Sequence, residues 1–144
     1  MPELQGQCMC GAVTVTATPA RDSLGACHCD QCRRWTSSML VTFQTEPGYA
    51  ALGPVKTFTS SDWAERAFCA DCGSALWYRI TLPGEMHGQT QMAAGLFEDT
   101  GNALKLELYI DKKPEGYAFA GERRQMTKAE VEAMYALPEE GDSQ

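Results

Sequence analysis

The sequence predicts a mainly β fold, built of short antiparallel strands whose loops are pinned by metal, with one short helix near the C-terminus. Three observations predict it. Apolar and β-branched residues alternate over short segments separated by turn formers. A single stretch carries a helix signature. All seven cysteines fall in the first half of the chain, ending at Cys72.

Residues 12–18 (AVTVTAT) alternate β-branched and small side chains and read as a strand, ended by Pro19 and a polar turn. Residues 39–44 (MLVTFQ) and 55–59 (VKTFT) read the same way, with the turn-rich EPGYAALGP between them. Residues 75–82 (ALWYRITL) form a strand stopped by Pro83-Gly84, and 104–110 (LKLELYI) alternate until Asp111 and Pro114. The stretch 89–96 (QTQMAAGL) fits either a strand with a glycine break or a short helix. Thr127 and Glu130 are spaced as a capping box ahead of Val131, Met134 and Tyr135, so a helix starts at Thr127 and ends before Pro138.

A chain of 144 residues supports one core. Residues 1–137 are therefore read as one domain and 138–144 as an acidic tail. No long apolar run and no secretory leader pattern is present, so the expected location is cytoplasmic, with no membrane partner. The net charge of -7 repels phosphate backbones and argues against a nucleic-acid partner. Arg33, Arg34, Arg123 and Arg124 remain local basic spots for a small anion. A reducing compartment and an odd number of cysteines favour metal ligation or catalysis over disulfides.

The cysteines form three groups: Cys8 with Cys10; Cys27, Cys29 and Cys32; Cys69 with Cys72. Cys69 and Cys72 (FCADCG) have knuckle spacing, which lets two thiolates meet one zinc ion while Gly73 takes a positive φ. Cys8 and Cys10, two apart on an extended segment, supply the matching pair, with Met9 turned into apolar packing. Four thiolates make a closed structural site. The same parity unites Cys27 and Cys29 and sends His28 to the opposite face, while Cys32 completes a trio. Three ligands leave an open position, the pattern of a catalytic zinc. Two alternatives stay open: His28 or Asp30 closes the second site, or the trio acts as metal-free reactive thiols.

The order CMCGAV, ACHCDQCRR, FCADCGSAL, with LELYIDKKPEGY as a closing segment, resembles the glutathione-dependent formaldehyde-activating enzyme family, which also includes the domain of centromere protein V. The resemblance implies a β-tent (Mss4-like) fold with two zinc ions. Cys8, Cys10, Cys69 and Cys72 would hold the structural ion, and Cys27, Cys29 and Cys32 the catalytic one. It further implies a carbon–sulfur lyase that joins glutathione to formaldehyde, giving S-hydroxymethylglutathione. Family members often carry a glycine shortly after the third cysteine of the middle motif. Here Trp35 and Ser37 occupy that stretch and are expected to reshape the pocket.

A zinc ion already holding three thiolates is a poor Lewis acid but a good site for another soft sulfur, so the expected partner is a small-molecule thiol such as glutathione, which then attacks a small aldehyde. Arg33 and Arg34 follow the trio directly and are candidate carboxylate binders, with Trp35 beside them. Trp35, Trp63, Trp77 and Phe68 either wall the pocket or fill the core. His87 is expected in solvent. A thioredoxin-type redox pair at Cys29 and Cys32 lacks its βαβ context. The competing function is a nonenzymatic zinc-stabilised thiol carrier or interaction module.

Overall fold

A computed structural model describes residues 1–135. The predicted end of the helix at Pro138 and the acidic tail lie outside the described residues. In chain order the strands are β1 (Leu4–Gln7), β2 (Thr14–Ala17), β3 (Ser23–Cys27), β4 (Leu40–Gln44), β5 (Ala50–Leu52), β6 (Val55–Thr59), β7 (Ala64–Cys69), β8 (Ala75–Ile80), β9 (Thr90–Ala93), β10 (Ala103–Leu108) and β11 (Arg124–Met126). Helix α1 (Asp30–Thr36) follows β3, and α2 (Lys128–Tyr135) follows β11. The molecule is mainly β, with the short C-terminal helix where the capping box set it. Thr127 Oγ1 accepts from the Glu130 N–H at 3.2 Å, and Glu130 Oε1 accepts from the Thr127 N–H at 2.9 Å.

β1, β2 and β5 make a three-stranded sheet, and the other eight strands run in the order β11-β10-β3-β4-β9-β8-β7-β6. The larger sheet is mixed: β10 lies parallel to both β3 and β11, and the remaining pairs are antiparallel. The ambiguous stretch 89–96 resolves into β9 and a 3-10 turn at Ala94–Leu96. β1, β3, β5, β7, β11 and α1 were not expected from the sequence, and β5 forms within the EPGYAALGP stretch that reads as a loop. The polar or glycine-broken runs LQGQ, SLGAC and AERAFC hide their alternation, and α1 sits inside the cysteine motif itself.

Strand parity gives the large sheet two different faces. Phe43, Trp77 and Met92, adjacent in register across β4, β9 and β8, turn toward the small sheet and bury Val13, Val15 and Ala17 in the main core. Phe97 stacks on Phe43 with ring centroids 5.4 Å apart. Burying each such side chain contributes about 1.5–3 kcal/mol. The opposite face carries Thr42, Gln44, Gln91, Tyr78 and Ile80, and it lines a cavity roofed by Val131, Met134 and Tyr135 of α2.

Met9 corrects an expectation: it is 79% exposed and not packed in the core. Residues 8–11 form a turn, with the Gly11 N–H on the Cys8 carbonyl at 3.1 Å and Gly11 at φ 79, and Met9 rides on its outside. The turn, and not strand parity, brings Cys8 and Cys10 together.

Candidate metal centres

The turn at Cys8 has a counterpart at Cys69. There the Gly73 N–H bonds the Cys69 carbonyl at 2.8 Å and Gly73 takes φ 79. Glycine accepts this left-handed backbone without a Cβ penalty, so each turn folds its own pair of sulfurs toward the other. The ligand atoms of Cys8, Cys10, Cys69 and Cys72 all lie within 4.8 Å of one another. Cys8 and Cys10 sulfurs are 3.6 Å apart, and Cys10 and Cys69 sulfurs 3.9 Å. A tetrahedron with metal–sulfur bonds of about 2.3 Å has edges of about 3.8 Å, so the set fits a four-coordinate thiolate site. Backbone N–H groups of Val13 and Cys72 point at the sulfurs of Cys8 and Cys69, at 3.3 and 3.5 Å. The bond from Val13 favours the charged form of Cys8.

The second group is Cys27, Cys29 and Cys32, whose ligand atoms also lie within 4.8 Å of one another. Cys27 closes β3, and Cys29 caps α1, its sulfur accepting from the Cys32 N–H at 3.3 Å. Cys32 then faces inward from the first turn of the helix. His28 and Asp30 are engaged elsewhere. His28 is buried with its Nε2 2.7 Å from Glu107 Oε1, and Asp30 pairs with Arg33 at 3.0 Å. Among the described residues, no other His, Cys, Asp or Glu joins the three sulfurs. Without a cation, the group ionises unevenly. Hydrogen bonds from Cys27 and Cys32 hold Cys29 down at about 2, while Cys29, Cys32 and burial push Cys27 well above the usual thiol range. A divalent cation among the three sulfurs would stabilise all three as thiolates, and the donor set suits zinc.

The difference between the groups is where they open. All three residues of the trio line the cavity under α2, which has a volume of about 400 Å³, whereas the quartet lies near the surface, with Cys10 exposed and Cys8 bordering a separate cavity beside Met39 and Leu96. Arg66 enters from β7 and is only 4% exposed. Its Nη1 donates to Cys32 Sγ at 3.4 Å and its Nη2 to Cys29 Sγ at 4.0 Å. Its guanidinium carbon lies 5.1 Å from the ring centroids of both Trp35 and Tyr78. Sandwiched between two π faces, the cation is fixed in direction and offsets thiolate charge in a dry setting.

Two tyrosines border the same cavity. Tyr78 accepts from Trp63 Nε1 at 3.1 Å, and burial pushes its hydroxyl pKa well above the usual phenol value. Tyr109 is 4% exposed, and burial raises it likewise. Tyr109 also takes a left-handed backbone, φ 57 and ψ 44, an uncommon state for a large side chain. Strand alternation alone would group Tyr109 with Glu107; the backbone twist at the end of β10 sets it in the cavity beside Leu106 and Leu108 instead.

Arg33, Arg34 and Trp35 do not border the cavity. On α1 they roll off the face that presents Cys32: Arg33 bonds back to Asp30, Arg34 is exposed, and Trp35 supports Arg66 from behind. Ser37 is not in the pocket either, because it ends α1 in the left-handed position, φ 67, with its N–H on the Arg33 carbonyl. That position commonly takes glycine. Trp63 and Trp77 are core residues, Phe68 is half-buried, and His87 is exposed. Arg66, Tyr78 and Tyr109 escaped the sequence reading. An arginine inside a strand pattern reads as solvent-facing, and no local signal separates the two tyrosines from core aromatics.

Residues 3–112 match the family described as glutathione-dependent formaldehyde-activating enzyme. A protein of Schizosaccharomyces pombe named as an uncharacterized lyase is 34% identical over 136 residues, which cover 91% of this chain and 96% of that one.

Proposed function

Because this chain belongs to the glutathione-dependent formaldehyde-activating enzyme family, we propose that it is a zinc-dependent carbon–sulfur lyase-type enzyme that joins a thiol such as glutathione to a small aldehyde. The observation that carries the reading is the unequal number of ligands in the two cysteine groups: four sulfurs close enough to fill a tetrahedron, and three that line the cavity under α2 with no fourth His, Cys, Asp or Glu beside them among the described residues. Cys8, Cys10, Cys69 and Cys72 would hold a structural ion, and Cys27, Cys29 and Cys32 the ion of the active site. Zinc at the trio would supply the positive charge that makes an incoming thiol easier to deprotonate at neutral pH.

The residues of the chain do the rest. The cavity shields the reacting sulfur from bulk water, and Arg66 offsets the negative charge that gathers as a further sulfur approaches the trio. In the addition, the thiol gives up its proton, its sulfur forms a bond to the aldehyde carbon, the carbonyl π bond opens onto oxygen, and oxygen takes up one proton. One buried tyrosine of the cavity, Tyr109 or Tyr78, donates that proton and is restored by the one the thiol released, since burial keeps both hydroxyls protonated. The reverse reaction splits the adduct with the same groups. Free cysteines throughout fit a cytoplasmic setting, where thiols stay reduced.

Metal analysis and kinetics test the reading together. The full chain is expected to carry two zinc ions, one of them labile to added thiol, and Cys32→Ser is expected to retain one ion, stay folded and lose thiol and aldehyde consumption. Unchanged consumption in Cys32→Ser overturns the enzymatic reading. Thiol binding without turnover in the wild-type chain leaves the carrier function instead.

A further inference from the structure

The cavity has a direction. Three rungs of the large sheet cross its floor: Cys27 beside Leu40 and Leu108, then Gly25 beside Thr42 and Leu106, then Ser23 toward Gln44. Four residues of strand separate Cys27 from Ser23, which is ~13 Å at about 3.3 Å per residue. The two ends differ chemically. The trio and Arg66 form one end; Arg21, Ser23, Gln44 and Gln89 form the other.

The middle rung is bare. A Cβ added to Gly25 would have a single neighbour within 4 Å, the Leu106 carbonyl oxygen at 3.9 Å, so the space over the rung is open. Gly25 does not take a positive φ, so its backbone does not require glycine. Its missing side chain therefore leaves room and not conformational freedom.

Apart from the trio, the charged side chains on the lining are all basic. Although the chain carries -7 overall, the lining of the cavity holds Arg21 and Arg66 and, among the described residues, no Asp or Glu. Among the described residues, the Arg21 side chain enters no ion pair, and its backbone carbonyl is held by Asn102 Nδ2 at 3.4 Å. Thr42 occupies the Gln91 carbonyl oxygen at 3.2 Å, which leaves the amide NH₂ as the donor that Gln91 offers a ligand.

We propose that Arg21 and Gly25 set which thiol the cavity accepts: exposed Arg21, beyond the ~13 Å of β3 that separates Ser23 from Cys27, pairs with an anionic far end of the thiol, while Gly25 keeps the floor between them clear. The inference rests on the reading that a thiol binds at the trio, and it adds the residues that choose which thiol. A guanidinium at a partly wet mouth discriminates modestly, and side-chain bulk in the middle of the path discriminates strongly.

Calorimetric binding to the zinc-loaded full chain tests this with three thiols: mercaptooctanoate, its methyl ester, and mercaptoethanol. Wild-type protein is expected to bind the acid roughly fivefold more tightly than the ester, a preference that shrinks with added salt. Arg21→Gln is expected to remove that preference. Gly25→Val is expected to weaken the acid about tenfold relative to mercaptoethanol. If the valine variant does not fold, Gly25→Ala is expected to show the same shift on a smaller scale. Equal affinity for acid and ester, or a Gly25 variant that leaves the long-to-short ratio unchanged, overturns the inference while mercaptoethanol binding still supports a thiol site. Failure of all three thiols to bind overturns the underlying reading and this inference with it.

Discussion

Two buried charges on either side of the trio organise its surroundings. Arg66 faces the sulfurs with its guanidinium held between Trp35 and Tyr78. Replacing it by leucine leaves thiolate charge without its partner in a dry setting. Arg66→Leu is therefore expected to weaken metal binding at the trio by roughly 10–100-fold, measured by chelator competition, with the quartet's ion unaffected. Arg66→Lys keeps the charge but loses the flat stack, and falls between. On the other side, Glu107 accepts from Arg123 Nη1 at 2.9 Å and Gln125 Nε2 at 3.1 Å and pairs with His28 at 2.7 Å. Burial alone would raise its pKa, but hydrogen bonds from Gln125, His28 and Arg123 outweigh it and hold the carboxyl below the ordinary value. A depressed carboxylate pKa contributes stability that is present above the unfolded value and lost as pH falls through the folded one. Chemical denaturation below the usual glutamate pKa is expected to show a stability loss that Glu107→Gln flattens. None of this was legible at residue level. Arg66 and Glu107 look like surface charges until β7 and β10 are folded, whereas the seven cysteines declared their groups by spacing alone.

Among the elements, the most legible was α2. Its capping box is a local hydrogen-bond exchange between Thr127 and Glu130, readable from a spacing of three. Thr127→Ala is expected to destabilise the helix by about 1 kcal/mol. Because Val131, Met134 and Tyr135 roof the cavity, the same change should quicken amide exchange at Val131 and weaken thiol binding, read by exchange mass spectrometry and calorimetry. The strands β4, β6, β8 and β10 were equally visible because each holds β-branched, aromatic or alternating apolar residues bounded by turn formers. β7 was not: Ala64, Arg66, Ala67 and Cys69 are all buried, so its two faces do not separate into apolar and polar. Helix α1 was masked differently. The Cys29–Cys32 interval serves both as a knuckle spacing and as the first turn of a helix with Cys29 at its cap, and spacing cannot tell these apart.

For the whole molecule, the quartet ties residues 8–10 to 69–72, while the trio lies within residues 27–32 and meets β7 through Arg66. Metal binding is therefore expected to be folding free energy as well as chemistry. Chelation strong enough to strip both ions should lower the melting temperature and broaden the transition, while selective loss of the labile ion should abolish thiol binding and leave most of the fold, as followed by circular dichroism and metal release. The mainly β class was legible in the sequence because strand alternation and turn residues are local. The parallel pairing of β10 with β3 was not, since it joins residues some eighty apart in the chain through contacts no window of sequence contains.

That pairing also sets an order of events during synthesis. The quartet is complete once Cys72 has left the ribosome, but β3, which carries Cys27, has no neighbour on its outer edge until β10 emerges. A growing chain thus has both cysteine groups in hand by Cys72 but holds the middle one on an unfinished sheet margin, whose wall arrives only with the chain's last third.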